Sequence, residues 1–367
     1  MVASGRLFSP ELFPAIALCK ERFLLMKKLI SVLLAFSLLL LCACGKKEEA
    51  PTTFPPSTEK MTSSAEGTSL TKAPEVTELA PQINLSTVVD DGNSFTGYPI
   101  DLTSSVIKGQ PGGNTLSGLT ALPKISYTAA PARKDISLSG EKLSHSHGPA
   151  SGGEPHHTVV SFQENFDRFG AFTLGSQRDE KVLYLTFDCG YEYENLTAKI
   201  LDVLKEKQVP AAFFCTLDHI KKETEIISRI INEGHIVGNH SATHPSFAEI
   251  SREKMAKELE ETENYLRENY GYASKFFRFP AGEYTESALD LVASLGYVSV
   301  FWSVAYNDWN TDKIQGKDYA TETVLSRLHN GAIILLHSVS RDNAAALPEI
   351  IDRAREQGYE FRALTEL

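Results

Sequence analysis

Six side chains in the C-terminal half of the chain have the types needed for hydrolytic chemistry: Asp188, His240, His244, Arg278, Asp308 and His337. His240-Ser241-Ala242-Thr243-His244 sets two imidazoles four residues apart, a spacing that one helical turn would bring to one face and that suits a divalent metal. Alone, the same pattern also describes two surface or core histidines. Thr186-Phe187-Asp188-Cys189-Gly190 closes an apolar run with a carboxylate, which by itself could equally be a helix N-cap. Phe276-Phe277-Arg278-Phe279-Pro280-Ala281-Gly282 carries a cation inside an aromatic strand, where an unpaired charge is expensive. A carboxylate partner is needed, and Asp188 is the candidate. Asp308-Trp309 and Leu335-Leu336-His337 supply a further acid and imidazole. An imidazole bonded to a buried carboxylate stays protonated to higher pH, as a general acid requires.

These residues need a scaffold that brings distant segments together. From Lys181 onward, short β-branched or aromatic runs alternate with amphipathic segments. Strands are expected at 181–188, 211–217, 235–239, 275–280, 297–303, 331–337 and 359–363. Helices are expected at 196–207 and 253–270 among others, and Gly234, Gly296 and Gly358 stand where helices end before strands. The alternation predicts an α/β fold with a parallel sheet and crossover helices, and seven strands favour barrel-like closure. Active sites of such folds gather at the carboxyl ends of the strands, so all six residues are expected on one rim.

With these five motifs in this order, residues 145–367 resemble the polysaccharide deacetylases of carbohydrate esterase family 4. Thr186-Phe187-Asp188-Cys189-Gly190-Tyr191-Glu192, Phe301 to Trp309 and Leu336 to Ala344 are most similar to the delta-lactam-biosynthetic, or spore-cortex, peptidoglycan de-N-acetylases. The resemblance implies a distorted (β/α)7 barrel that hydrolyses the N-acetyl group of a peptidoglycan amino sugar, N-acetylmuramic acid in the delta-lactam type, releasing acetate. It implies Asp188 as general base and His337 as general acid, with Arg278 orienting Asp188 and Asp308 pairing His337. It further implies His240 and His244 as ligands of a divalent metal, zinc first, and Tyr191, Trp309 and Gly282 as substrate contacts. Cys189 stands where the family commonly has an aspartate ligand and the delta-lactam subgroup an asparagine. Three readings stay open for it: thiolate ligand, non-ligand thiol, or disulfide with Cys215. Phe279 and Ala281 also depart from the family's common pattern. The rival readings are a deacetylase of chitin-like or xylan polysaccharide and a non-catalytic wall-glycan binder.

The rest of the chain reads as delivery. Residues 26–43 combine Met26-Lys27-Lys28 with an apolar run in the manner of a signal peptide, too short for a comfortable span of ~20 residues. Leu41-Cys42-Ala43-Cys44-Gly45 resembles a lipobox with Cys44 as the lipidated residue. The expectation is an exported protein, lipid-anchored to the outer face of the cytoplasmic membrane, with plain secretion as the alternative. Residues 1–25 read as an upstream extension. Residues 44–140, rich in Pro, Thr and Ser, read as a disordered tether. Ser144-His145-Ser146-His147 and His156-His157 read as a solvated loop, with a metal tract as the alternative. A formal charge of −11 from 36 basic and 47 acidic residues argues against nucleic acid as a partner. Five cysteines are too few for a disulfide-dense scaffold.

Overall fold

The computed structural model describes residues 77–79, 89–90, 95–133 and 137–367. The chain divides into units Met1–Leu70 and Thr71–Leu367, and every described residue lies in the second. The signal segment, Cys44 and most of the expected tether lie outside the described residues. Among those described, no helix is long and apolar enough to cross a membrane.

Seven parallel strands form the sheet: β1 (Val182–Cys189), β2 (Ala211–Cys215), β3 (Ile236–Asn239), β4 (Phe276–Phe277), β5 (Val298–Ser299), β6 (Ala332–His337) and β7 (Glu360–Phe361). Their order is β5-β4-β3-β2-β1-β6, with β7 also paired to β1. A parallel bridge between Val304 and Ile334 draws the chain beyond β5 towards β6, so the sheet curls into a distorted barrel. Helices α1 (His157–Phe166), α2 (Leu196–Lys207), α3 (Leu217–Lys222), α4 (Thr224–Asn232), α5 (Arg252–Tyr270), α6 (Glu286–Ser294), α7 (Lys317–Leu325) and α8 (Arg341–Glu356) accompany the strands.

The period-2 alternation of a strand sorts β1 into two faces. Val182 and Tyr184 point inward and pack with Phe214, Phe276, Val300 and Ile333. Leu183, Leu185, Phe187 and Cys189 point outward and meet Ile200 and Leu204 of α2 and Leu347 and Ile351 of α8. A third cluster joins Phe277 and Phe301 to Leu259 of α5, Leu289 of α6 and Phe166 of α1. Helix ends follow local chemistry: the Ser251 hydroxyl accepts from the Lys254 N–H at the start of α5, and Gly271 ends it at φ 60°.

The tether expectation fails for 95–133, which is ordered against the barrel. Val106–Lys108 pairs antiparallel with Tyr272–Ser274. Asn264 of α5 brackets Ile125, accepting from its N–H and donating to its carbonyl, both at 2.8 Å. The physical reason lies in scattered apolar anchors, since Tyr98, Ile125 and Tyr127 are all buried. The Tyr127 hydroxyl also donates to buried Glu263 at 2.5 Å.

Candidate active site

The functional side chains sit at the carboxyl ends of the strands, as a parallel sheet dictates. Asp188 and His337 are register partners on β1 and β6. Arg278 directly follows β4, and its N–H donates to the carbonyl of Asn239 at the end of β3. Its guanidinium is fully buried and each nitrogen has a partner: Nη1 donates to Asp188 Oδ1 at 2.8 Å, Nε to the Val300 carbonyl at 2.8 Å and Nη2 to the Phe301 carbonyl at 3.1 Å. It also stacks over Phe214 at 4.2 Å. Burial alone would raise the Asp188 pKa, but the charges of Arg278, His240 and His337 outweigh it and hold the carboxyl below its ordinary range.

His240 and His244 reach the site from a loop, not from the helical turn their spacing suggested. Ser241 (φ 70°) and His244 (φ 57°) take left-handed backbone, sparsely populated by non-glycine residues. Glu258 of α5, itself fully buried, holds that loop by accepting from the Thr243 N–H at 2.7 Å and its hydroxyl at 2.8 Å. The two imidazole centroids are 4.9 Å apart. His240 Nδ1 bonds the Arg278 carbonyl at 2.8 Å, and a carbonyl can only accept, so the proton sits on Nδ1. Burial lowers the ring's pKa to about 4, leaving Nε2 as a bare lone pair at neutral pH. That lone pair faces Asp188 Oδ2 at 3.7 Å. Two acceptors opposed in a buried setting fit a cation and its bound water beside them, and the His244 ring stands next to the His240 ring. The residues present therefore suit a divalent metal held by the two imidazole nitrogens, with a carboxylate facing its water.

Cys189 does not belong to this donor set. Asp188 and Cys189 are consecutive on β1, so strand alternation sends the thiol to the outer face, into the cluster with Phe187 and Phe213. The expectation that Cys189 ligates with His240 and His244 is corrected accordingly. Cys189 and Cys215 are both free and buried in the structure.

On the opposite wall, His337 Nδ1 pairs with Asp308 Oδ1 at 2.7 Å, and the His337 N–H donates to Asp308 Oδ2 at 2.8 Å. Burial would lower the imidazole pKa, but the Asp308 hydrogen bond and charge outweigh it and raise it above the ordinary value. Asn343, at the start of α8 and fully buried, donates to Asp308 Oδ2 at 2.6 Å and to the His337 carbonyl at 3.1 Å. Tyr306 donates to Asn343 Oδ1 at 2.5 Å. Sequence reasoning did not single out Asn343 or Glu258. The available signal was a capping one, Ser340 followed three residues later by Asn343.

A cavity of about 750 Å3 joins both walls, lined by Asp188, His240, His244, His337, Trp302 and Tyr306 among others. Tyr191 and Trp309 also line it and stand exposed at its rim, 52% and 58% respectively. Gly282 does not line the cavity, correcting the expectation of a substrate contact there. At φ 66°, a Cβ on Gly282 would meet the Trp302 ring at 2.8 Å, so the glycine serves close packing. The solvated-loop expectation fails at the start of the histidine-rich stretch, where His145 is buried and bonds the Trp302 carbonyl at 2.7 Å and His147 bonds the Ala305 carbonyl at 2.9 Å, while residues 151–154 and His157 are exposed.

Comparison with known proteins decides the family. The family model described as Polysaccharide deacetylase matches residues 175–300. The chain is 41% identical over 229 residues to an uncharacterized 30.6 kDa protein of Geobacillus stearothermophilus, covering 62% of this chain and 83% of that one. It is 38% identical over 229 residues to the peptidoglycan-N-acetylmuramic acid deacetylase PdaA of Bacillus subtilis, covering 62% and 84% of the two chains. This chain belongs to the polysaccharide deacetylase family. Among solved structures, the PdaA family 4 carbohydrate esterase of Bacillus subtilis superposes with a TM-score of 0.59 at 37% identity, over 62% of this chain and 97% of that one. A family 4 carbohydrate esterase of Bacillus anthracis gives a TM-score of 0.52 at 37% identity, over 63% and 98%. A polysaccharide deacetylase is a hydrolase that cleaves an acetyl group from a sugar, and the curled α/β barrel here is its fold.

Proposed function

We propose that this protein hydrolyses the N-acetyl group of N-acetylmuramic acid in peptidoglycan with a divalent metal, zinc first, held by His240 and His244, and with Asp188 as the base beside it. The observation that carries the reading is one cavity with an ionised carboxylate on one wall and a carboxylate-paired imidazole on the other, in register on neighbouring strands. The similarity to PdaA, named for that sugar, supports muramic acid, and the similarity to the peptidoglycan-N-acetylglucosamine deacetylase of Bacillus cereus, 34% identical over 201 residues, supports peptidoglycan as the polymer.

When bound, such a metal supplies Lewis-acid polarisation of the acetyl carbonyl and acidifies water. Asp188, ionised and fixed by Arg278, accepts the proton of the attacking water on Oδ2, the oxygen that Arg278 leaves free. His337 carries a proton on Nε2 while Asp308 holds Nδ1. It delivers that proton to the sugar nitrogen as the C–N bond breaks, giving acetate and a free amine. Tyr191 and Trp309 present aromatic faces on which sugar rings stack. We further propose export and lipid attachment at Cys44. Metabolic labelling with a fatty-acid probe tests this, with label expected on the natural chain and absent from Cys44→Ala.

The enzymatic reading is tested by removing a donor. His240→Ala should lower bound metal by elemental analysis and abolish acetate release from peptidoglycan together. Unchanged metal content would overturn the ligand assignment.

A further inference from the structure

Directly behind Asp188, on the outer face of the sheet, the two thiols of the described fold meet an imidazole. Cys189 and Cys215 are register partners at the ends of β1 and β2, and His219 lies on α3, four residues after Cys215. One donor atom from each of the three lies within 4.8 Å of the other two. Exposure is 0% for both cysteines and 1% for His219. Neither His219 Nδ1 nor Nε2 has a hydrogen-bond partner. Buried polar groups are almost always partnered, and an imidazole with two unmet nitrogens in an apolar core is costly. A disulfide would join the sulfurs and leave that imidazole unmet.

We infer that Cys189, Cys215 and His219 form a second cation site, separate from the His240 and His244 donors, for a thiophilic d10 ion of the zinc or cuprous copper class. Two sulfurs and an imidazole are the donors these ions prefer, whereas magnesium and calcium take oxygen. Binding exchanges two S–H protons, released to solvent, for two metal–sulfur bonds, with no change of oxidation state. With zinc the buried cluster is electrically neutral, so no net charge is left in the apolar cluster. The site would tie the ends of β1 and β2 to α3, fixing the strand end from which Asp188 projects on the other face. It is independent of the proposed reaction, because none of its three donors enters that chemistry.

The experiment isolates this site by working in the full chain carrying His240→Ala and His244→Ala. After incubation with zinc or with cuprous copper under reducing conditions and desalting, elemental analysis should find about one cation per chain, and its identity separates the two ions. Cobalt(II) substitution should give a near-ultraviolet thiolate-to-metal charge-transfer band. Adding Cys215→Ser or His219→Ala to that background should abolish both signals. Absence of retained cation with freely titrating thiols, or recovery of a Cys189–Cys215 disulfide, would overturn the proposal. Where Cys215→Ser does not fold, the cobalt spectrum of the double-histidine variant decides: a band supports the site and its absence removes it.

Discussion

At the scale of single residues, the site is two hydrogen-bonded pairs with opposite electrostatic settings. Arg278 keeps Asp188 ionised, and Asp308 keeps His337 protonated, against the burial that would neutralise each. Replacing Asp188 with Asn leaves the Arg278 geometry nearly isosteric but removes the proton acceptor. Turnover should fall by roughly 10²–10⁴-fold, the usual range for losing general-base catalysis, with an unchanged far-ultraviolet circular dichroism spectrum. The pH profile follows from the same pairs. Activity should rise as Asp188 ionises, below the ordinary carboxylate range, and fall as His337 loses its proton, above the ordinary imidazole value. Asp308→Asn should move the alkaline limb of kcat/KM to lower pH. Stability obeys the same sign: a raised folded pKa contributes stability fully below the unfolded value, and that contribution is lost as pH rises through the folded one. Thermal melts across that window should show the loss in the natural chain and not in Asp308→Asn.

At the scale of elements, the order and type of the strands were legible because each is an apolar run bounded by helix and glycine signals. α2 begins and ends where its pattern predicts, at Leu196 and Lys207. Adjacency misled at Cys189, because neighbouring positions in sequence are opposite faces in a strand. The outward alternation of Leu183, Leu185, Phe187 and Cys189 is readable in the sequence once β1 is recognised. The His240 to His244 loop misled differently: left-handed backbone at Ser241 and His244 has no signal in residue type there. Asn343 carried only the capping pattern that begins at Ser340, which marks a helix start and not its role, since its importance comes from a strand end and a helix start meeting in space. Removing its amide would leave Asp308 Oδ2 one donor short, which costs about 1–3 kcal/mol for a buried group. Asn343→Ala should therefore lower kcat roughly tenfold or more with little change in KM, and shift the alkaline limb to higher pH, opposite to Asp308→Asn, because the Asp308 charge facing His337 is then shared with one donor fewer. An unshifted limb would reduce Asn343 to a structural role.

At the scale of the whole molecule, the barrel is wrapped by a segment that composition alone marks as tether. Residues 95–133 lack sustained periodicity because the strands there are only three residues long, as at Val106–Lys108 and Lys124–Ser126. Tyr98, Ile125 and Tyr127 nonetheless anchor the segment, each burial stabilising by about 1.5–3 kcal/mol. Tyr127 also shares buried Glu263 with Lys275 and Tyr297. A chain beginning at residue 137 should melt well below one beginning at 95, as differential scanning calorimetry would show. Equal melting temperatures would mean that the segment contributes nothing to the fold. The central claim concerns the assembled cavity and is most directly tested on the natural polymer. Purified, zinc-loaded protein is incubated with intact peptidoglycan, free acetate is measured, and the freed amine is located by mass spectrometry of the digested glycan. The account predicts stoichiometric acetate with the modification on muramic acid, absent from Asp188→Asn. No acetate from peptidoglycan, alongside deacetylation of chitin oligomers, would contradict it.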